Sequence, residues 1–211
     1  MSRAFPRTAH VVAIGLLLAI ARPVAAHTPQ ILALGDSLTA GFGLPSEASF
    51  PTRLEARLKA DGIQANVVNA GVSGDTTAGG LARLDWALAD KPNLVILELG
   101  ANDALRGIDP ATVRANLDAM ITRIQVSGAK VLLAGMRSLA NWGEDYRREF
   151  ERVYPELAEA HGVALYPFFL DGVAMDAKLN QTDGLHPNDR GVAVIVDRMA
   201  PIVEQLLGGK S

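Results

Sequence analysis

From residue 30 onward, short apolar runs alternate with longer amphipathic stretches. Ile31–Leu34 is wholly apolar and closes on Gly35, which predicts a first strand. Phe50–Ala60 follows as a helix, with Leu54 and Leu58 on one face and Ser49 placed to cap it. Gln64–Val68 predicts a second strand, and Thr77–Ala89 a helix whose first turn is weakened by Gly79 and Gly80. Leu94–Leu99 is apolar except for Glu98, the pattern of a strand buried on both faces. Asp109 and Pro110 then suit the cap and first position of a helix, along which Val113, Leu117, Met120, Ile121 and Ile124 fall at helical spacing. Val131–Ala134 predicts a fourth strand. Tyr146, Phe150, Val153, Tyr154 and Leu157 mark a helix bent by Pro155 and ended by Gly162. After a short strand at Val163–Tyr166, a last helix carries Val192, Ile195, Val196, Met199, Ile202, Val203 and Leu206 and is bent by Pro201.

Strand and helix alternate to the end, which implies a parallel sheet with helices on both faces. Sites in such sheets lie beyond the carboxyl ends of the strands. No repeat, low-complexity tract or long linker interrupts the pattern, so residues 27–211 are expected to form one domain.

The first 26 residues follow a different pattern. Arg3, Arg7 and His10 precede an apolar run from Val11 to Ile20, then Arg22-Pro23 and the small residues Val24-Ala25-Ala26. This is the order of a secretory signal, expected to be cut after Ala26. A membrane anchor is the competing possibility, but the run of about ten residues falls short of the roughly 20 needed to cross a bilayer. No twin-arginine pair is present, so general export to the periplasm or medium is expected, with no lasting membrane anchor. Removing three arginines and no acid from a chain with 20 basic and 23 acidic residues deepens the net charge from −3 to −6. That balance offers no basic surface for nucleic acid. The chain has no cysteine, which excludes disulfides, thiol catalysis, thiolate zinc sites and iron–sulfur clusters.

Four loops after strands carry candidate chemistry. Gly35-Asp36-Ser37-Leu38-Thr39-Ala40-Gly41 places Ser37 directly after a strand, where a nucleophile can be exposed. It is not the G-x-S-x-G elbow, because the next glycine comes too late. Taken alone, Asp36-Ser37 suits ordinary turn chemistry better. Asn69-Ala70-Gly71-Val72-Ser73-Gly74-Asp75-Thr76 can expose backbone N–H groups to an oxyanion, or simply turn into a helix capped by Asp75 or Thr76. Ser73 is a rival nucleophile with nothing nearby to separate it from a turn serine. In Gly100-Ala101-Asn102-Asp103, a side-chain amide can aim donors at a substrate oxygen or bond its own backbone. Asp183-Gly184-Leu185-His186-Pro187 precedes the last helix, with Asn188 as its expected cap.

Histidine narrows the choice. Of four, His10 lies in the signal, His27 begins the mature chain, and His161 sits at a helix end where a cation suits the dipole. Only His186 stands among loop polar residues with a carboxylate, Asp183, three residues away to hold its second ring nitrogen. One such histidine with scattered aspartates makes a poor zinc site, so no metal is expected.

Gly35-Asp36-Ser37, Gly74, Gly100-Ala101-Asn102-Asp103 and Asp183-Gly184-Leu185-His186 together resemble the four blocks of the SGNH (GDSL) hydrolases, in that family's order and across nearly the whole mature chain. Each block is a weak signal alone. Leu105-Arg106-Gly107, Asn141-Trp142-Gly143 and Tyr154-Pro155 are further similar to the bacterial branch of arylesterases, thioesterases and lysophospholipases, although that branch more often has Tyr at the position of Trp142. The resemblance implies a single-domain three-layer α/β/α sandwich with a flavodoxin-like parallel sheet of about five strands. It implies Ser37 as nucleophile, His186 as general base and Asp183 as its orienting carboxylate. The oxyanion donors would be the N–H groups of Ser37 and Gly74 and the amide of Asn102, with Asp36 bracing the loop. No metal or organic cofactor is implied, and the family suggests a monomer.

The expected substrates are small esters, thioesters or lysophospholipids with an apolar acyl or aryl group. Leu105 and Ile108 after Asn102, Met136, Leu139 and Trp142 after the fourth strand, and Phe168, Phe169 and Leu170 after the fifth are candidates for the acyl pocket or, equally, for the core. A carbohydrate O-acetyl esterase of the same family is the alternative, mildly disfavoured by an aromatic content of 5%. A non-catalytic binding module would be expected to lack one of the four block residues, and all are present.

Overall fold

The carboxyl ends of five parallel strands stand in one row. β1 (Gln30–Gly35), β2 (Asn66–Gly71), β3 (Leu94–Glu98), β4 (Lys130–Ala134) and β5 (Ala164–Tyr166) hydrogen-bond in the order β2-β1-β3-β4-β5. The register pairs Gly35 with Gly71 on one side and Glu98 on the other, Glu98 with Ala134, and Ala134 with Tyr166. The loops that follow all five are those singled out from the sequence, for their chemistry or for their pocket candidates. The strand order reverses at β1, so a crevice opens between the loops after β1 and β3, the usual binding position in this topology. The computed structural model describes Met1 and residues 28–208. The expected signal segment lies outside the described residues.

Burial explains the central strands. Ile31, Ala33, Leu34, Leu94, Val95, Leu97, Leu132 and Leu133 are all without solvent exposure, as unbroken apolar runs between two helical layers require. On one face α2 (Phe50–Ala60) packs against α7 (Asp189–Leu206). On the other, α5 (Pro110–Val126) packs against both α3 (Thr77–Ala87) and α6 (Glu144–His161). The expected α/β/α sandwich is therefore present, with helices close to their predicted bounds. Asp109 caps α5 by accepting from the Ala111 N–H at 2.8 Å, Asn188 caps α7 through the N–H groups of Arg190 and Gly191, and Gly162 ends α6 at φ +62°. Both α6 and α7 run on through their prolines.

Three expectations change. β2 begins at Asn66 rather than Gln64 and extends to Gly71, because its start is set by pairing with β1 and not by its own apolar content. As an edge strand it is half exposed, which blurs its hydrophobic pattern. Ser49 stands at the N-terminus of α2 but makes no cap bond; its hydroxyl turns back to donate to the Ser46 carbonyl at 2.8 Å. Two helices too short for periodicity to reveal, α1 (Ser37–Ala40) and α4 (Ala101–Leu105), begin directly after β1 and β3.

Gly71 lets α1 sit where it does. A Cβ there would lie 2.3 Å from the Ala40 nitrogen and 2.9 Å from the Asp36 carbonyl oxygen, both backbone atoms. Gly71→Ala must push α1 away from β2, so it is expected to destabilise the fold by about 1–3 kcal/mol, read as a lower urea midpoint at unchanged slope. An unchanged midpoint would contradict this packing.

Candidate active site

The site is assembled from the turns after β1, β2 and β3 and from the segment before α7. Asp36 caps α1, its Oδ1 accepting from the Leu38 N–H at 2.9 Å, and this leaves Ser37 as the first residue of the helix. Asp183 shapes the opposite loop in the same way. Its Oδ1 accepts from the backbone N–H groups of Leu185 at 2.9 Å and His186 at 3.0 Å. Its Oδ2 lies 2.7 Å from His186 Nδ1, and His186 Nε2 lies 2.9 Å from Ser37 Oγ. The three residues thus form one hydrogen-bonded series. The two backbone N–H groups, with the imidazole, hold Asp183 down at about 2, so it is an anion across the neutral range.

Two features of this arrangement escaped sequence inspection. Gln181 bridges the histidine loop to the Ser37 side: its Nε2 donates to the carbonyls of Phe42 at 2.7 Å and Pro187 at 3.0 Å, while its backbone N–H bonds the His186 carbonyl. The Phe42 ring packs on the His186 ring with centroids 4.7 Å apart. The contacts to Phe42 have no local signal, because it lies far from Gln181 and His186 in the chain.

Asn102, on α4, faces the turn that carries Asp36 and Ser37. Its Nδ2 donates to Asp36 Oδ2 at 3.1 Å, which uses one amide hydrogen and leaves the second. The N–H groups of Ser37 and Gly74 have no acceptor among the described residues. Gly74 holds φ +81° with nothing near its absent Cβ, so glycine serves the backbone conformation there and not space. Such unspent donors beside a hydroxyl–imidazole pair suit an oxyanion. Ser73 also borders the site, but among the described residues no base meets its hydroxyl. His161 pairs with Asp118 at 2.7 Å, apart from this cluster. Among the described residues no group of three or more potential metal ligands occurs.

A cavity of about 660 Å³ opens over Ser37, Gly74, Asn102 and His186. Of the pocket candidates, Leu105, Met136, Leu139, Phe168 and Leu170 line it. Ile108, Trp142 and Phe169 do not. Ile108 packs against the core and its carbonyl accepts from the Tyr146 hydroxyl; Trp142 lies over Gly107 and donates to the Ala104 carbonyl; Phe169 is fully buried edge-on to Phe50. Leu38, Phe42, Met175 and Leu185 complete the apolar wall.

The relay and the sheet together define a class: a serine hydrolase on a flavodoxin-like sheet, without the G-x-S-x-G elbow. Comparison with known proteins narrows it further. The chain belongs to the GDSL-like Lipase/Acylhydrolase family, which it matches over residues 33–194, and it is a carboxylic ester hydrolase. It is 42% identical to Esterase TesA of Pseudomonas aeruginosa, over 90% of this chain and 94% of the relative. It is 37% identical to Thioesterase 1/protease 1/lysophospholipase L1 of Escherichia coli K12, over 96% and 95%. Among solved structures, the psychrotrophic esterase EstA from Pseudoalteromonas sp., inhibited by monoethylphosphonate, superposes with a TM-score of 0.81 at 33% identity, covering 85% of this chain and 99% of that one.

Beneath the site lie two buried carboxyl groups. Glu98 Oε2 accepts from the Thr39 hydroxyl at 2.7 Å and the Asp36 N–H at 3.3 Å, while Oε1 has no partner among the described residues. Burial, with the nearby Asp36 charge, pushes Glu98 well above its ordinary value of 4.5. Burial also raises Asp36, to about 6, against the opposing hydrogen bonds from Leu38 and Asn102. Glu98 is therefore the neutral member and Asp36 the anion at neutral pH. An unfolded Glu98 loses its proton near 4.5 whereas the native one keeps it, so the native state binds more protons and stability falls as pH rises from that value. Glu98→Gln preserves the accepting oxygen without the proton. Urea unfolding from about pH 5 to 8 should show a shallower decline for this variant than for wild type; parallel curves would contradict a neutral Glu98.

Proposed function

We propose that this chain is an exported esterase that hydrolyses esters and thioesters with apolar acyl or aryl groups through an acyl-Ser37 intermediate. The observation that carries the reading is the 2.9 Å contact between Ser37 Oγ and His186 Nε2 at the floor of an apolar cavity. In this mechanism His186 Nε2 takes the hydroxyl proton as Ser37 Oγ attacks the substrate carbonyl carbon. The carbonyl oxygen becomes an anion that the Ser37 and Gly74 N–H groups and the second Asn102 amide hydrogen receive. Collapse breaks the bond to the alkoxide or thiolate, which leaves with the proton held by His186. A water then repeats the sequence on the acyl-serine, giving the carboxylic acid and restoring Ser37. Asp183, anionic throughout, fixes the imidazole's tautomer and stabilises its cation.

The apolar wall favours acyl or aryl groups over the alternative of acetylated carbohydrate, which calls for a polar groove. Lysophospholipids fit the same description, an apolar chain with a polar remainder left toward solvent. Residues 1–26 direct export, and no helix among the described residues is long and apolar enough to cross a membrane. The enzyme works as a monomer and needs no metal or cofactor.

Ser37→Ala is expected to lower kcat on p-nitrophenyl esters by at least about a thousandfold while leaving the fold intact. Wild-type kcat/KM should rise from acetyl to medium-chain acyl esters. Turnover retained by Ser37→Ala would refute the mechanism, and a preference for acetylated glycan would favour the alternative. Expression of the full chain in a bacterial host should yield an exported product whose mass begins at His27; an uncut product would refute the export signal.

A further inference from the structure

The donors of the oxyanion site come from three separate segments, and the Gly74 N–H rests on a turn with little packing of its own. Something must hold that turn against the nucleophile. Arg83, on α3, reaches both the turn and the end of β1, the strand that leads into Ser37. Its Nε donates to Asp75 Oδ2 at 2.7 Å, its Nη1 to the Ala70 carbonyl at 2.8 Å and its Nη2 to the Gly35 carbonyl at 2.9 Å. Gly35 ends β1 two residues before Ser37, Ala70 lies at the end of β2, and Asp75 directly follows Gly74. One planar guanidinium thus spans the ends of both strands and the turn that follows the second.

The surroundings are fitted to this fork. The Arg83 side chain is 21% exposed and that of Asp75 11%. A Cβ on Gly79 would fall 1.8 Å from Asp75 Oδ1, so the first turn of α3 is left bare to admit the carboxylate. The Gly35 carbonyl also accepts from the Val72 N–H, and the Val72 carbonyl from the Asp75 N–H, so the turn starts from the end of β1 and closes on itself before Asp75. Arg106 Nη2 donates to the Gly74 carbonyl at 3.0 Å from the Asn102 side. That contact is exposed, whereas the Arg83 fork is sheltered and has three bonds.

We infer that Arg83 is a positioning residue for the oxyanion site, holding the Gly74 N–H in register with Ser37 through its fork on Asp75, Ala70 and Gly35. Arg83 does not touch substrate; it acts through the turn. This rests on the acyl-serine mechanism proposed above. A misaligned donor weakens the transition state more than the bound ester, so its loss should fall on kcat. Lysine, with a compact ammonium, cannot reproduce a planar fork aimed at three acceptors.

The test is steady-state hydrolysis of a p-nitrophenyl ester by wild type, Arg83→Met, Arg83→Lys and Asp75→Asn, each first shown by thermal melting to be folded at the assay temperature. Arg83→Met is expected to lose about ten- to hundredfold in kcat with KM changed less than about threefold, and Arg83→Lys to fall between it and wild type. The rate at which a p-nitrophenyl alkylphosphonate labels Ser37 should fall in parallel, because that reaction also builds negative charge on an oxygen in the site. A folded Arg83→Met with kcat and labelling rate within about threefold of wild type overturns the inference, as does a loss confined to KM. If Arg83→Met does not fold, Asp75→Asn weakens the ion pair from its other end; a fall in its kcat at steady KM supports the inference, and wild-type kcat overturns it. An inactive wild type, or an active Ser37→Ala, instead refutes the underlying mechanism, so the two failures are distinguishable.

Discussion

Asp36 places a buried carboxylate between segments 66 residues apart, one oxygen on the Leu38 N–H and the other on the Asn102 amide. An anion without solvent contact is costly unless its lone pairs are filled. Satisfying it forces α1 to start at Ser37 and draws α4 against it. The neutral Glu98 beneath is the complementary half: it occupies the space that Gly35 leaves and receives the Asp36 N–H and Thr39 hydroxyl without adding a second charge. The residue next to Ser37 is thus a structural acid, and the floor of the site is set by where one buried negative charge can be tolerated.

The parallel sheet does the rest of the gathering. Because all five strands end in one row, a serine, a glycine and an asparagine from three different crossovers face one crevice. The histidine arrives differently. It comes from the segment before the last helix, and Gln181 and Phe42 secure it against the Ser37 side. The same crossing leaves an apolar cavity over the Ser37 hydroxyl, where hydrogen bonds to a developing charge are stronger than in water. The hydrogen-bonded groups and the apolar lining thus share one cavity.

Much of this is legible in the residue order. The start of α5 could be placed to the residue because its cap, first-turn proline and apolar stripe all agree. β3 was evident because a strand buried on both faces must be apolar along its length. β2 was misplaced because an edge strand has one face in solvent and takes its start from its neighbour. α1 and α4 were not visible because four or five residues hold no periodicity. Among pocket candidates, the aliphatic and aromatic residues after β4 and β5 could not be sorted. Phe168 and Phe169 are adjacent and chemically alike, yet one lines the cavity and the other is sealed in the core against Phe50.

The division has a physical basis. Strand and helix identity, the layer order and the four chemistry-bearing loops follow from local patterns: apolar periodicity, caps, and the residue types a nucleophile, a base and an amide donor require. Those are properties of neighbours along the chain, and the sequence by itself determined them. The contact of His186 with Ser37 across 149 positions, the fork of Arg83 on two strand ends, the proton on Glu98 and the split of the pocket residues are properties of neighbours in space. They depend on which groups share water's absence, and only the tertiary structure decides that.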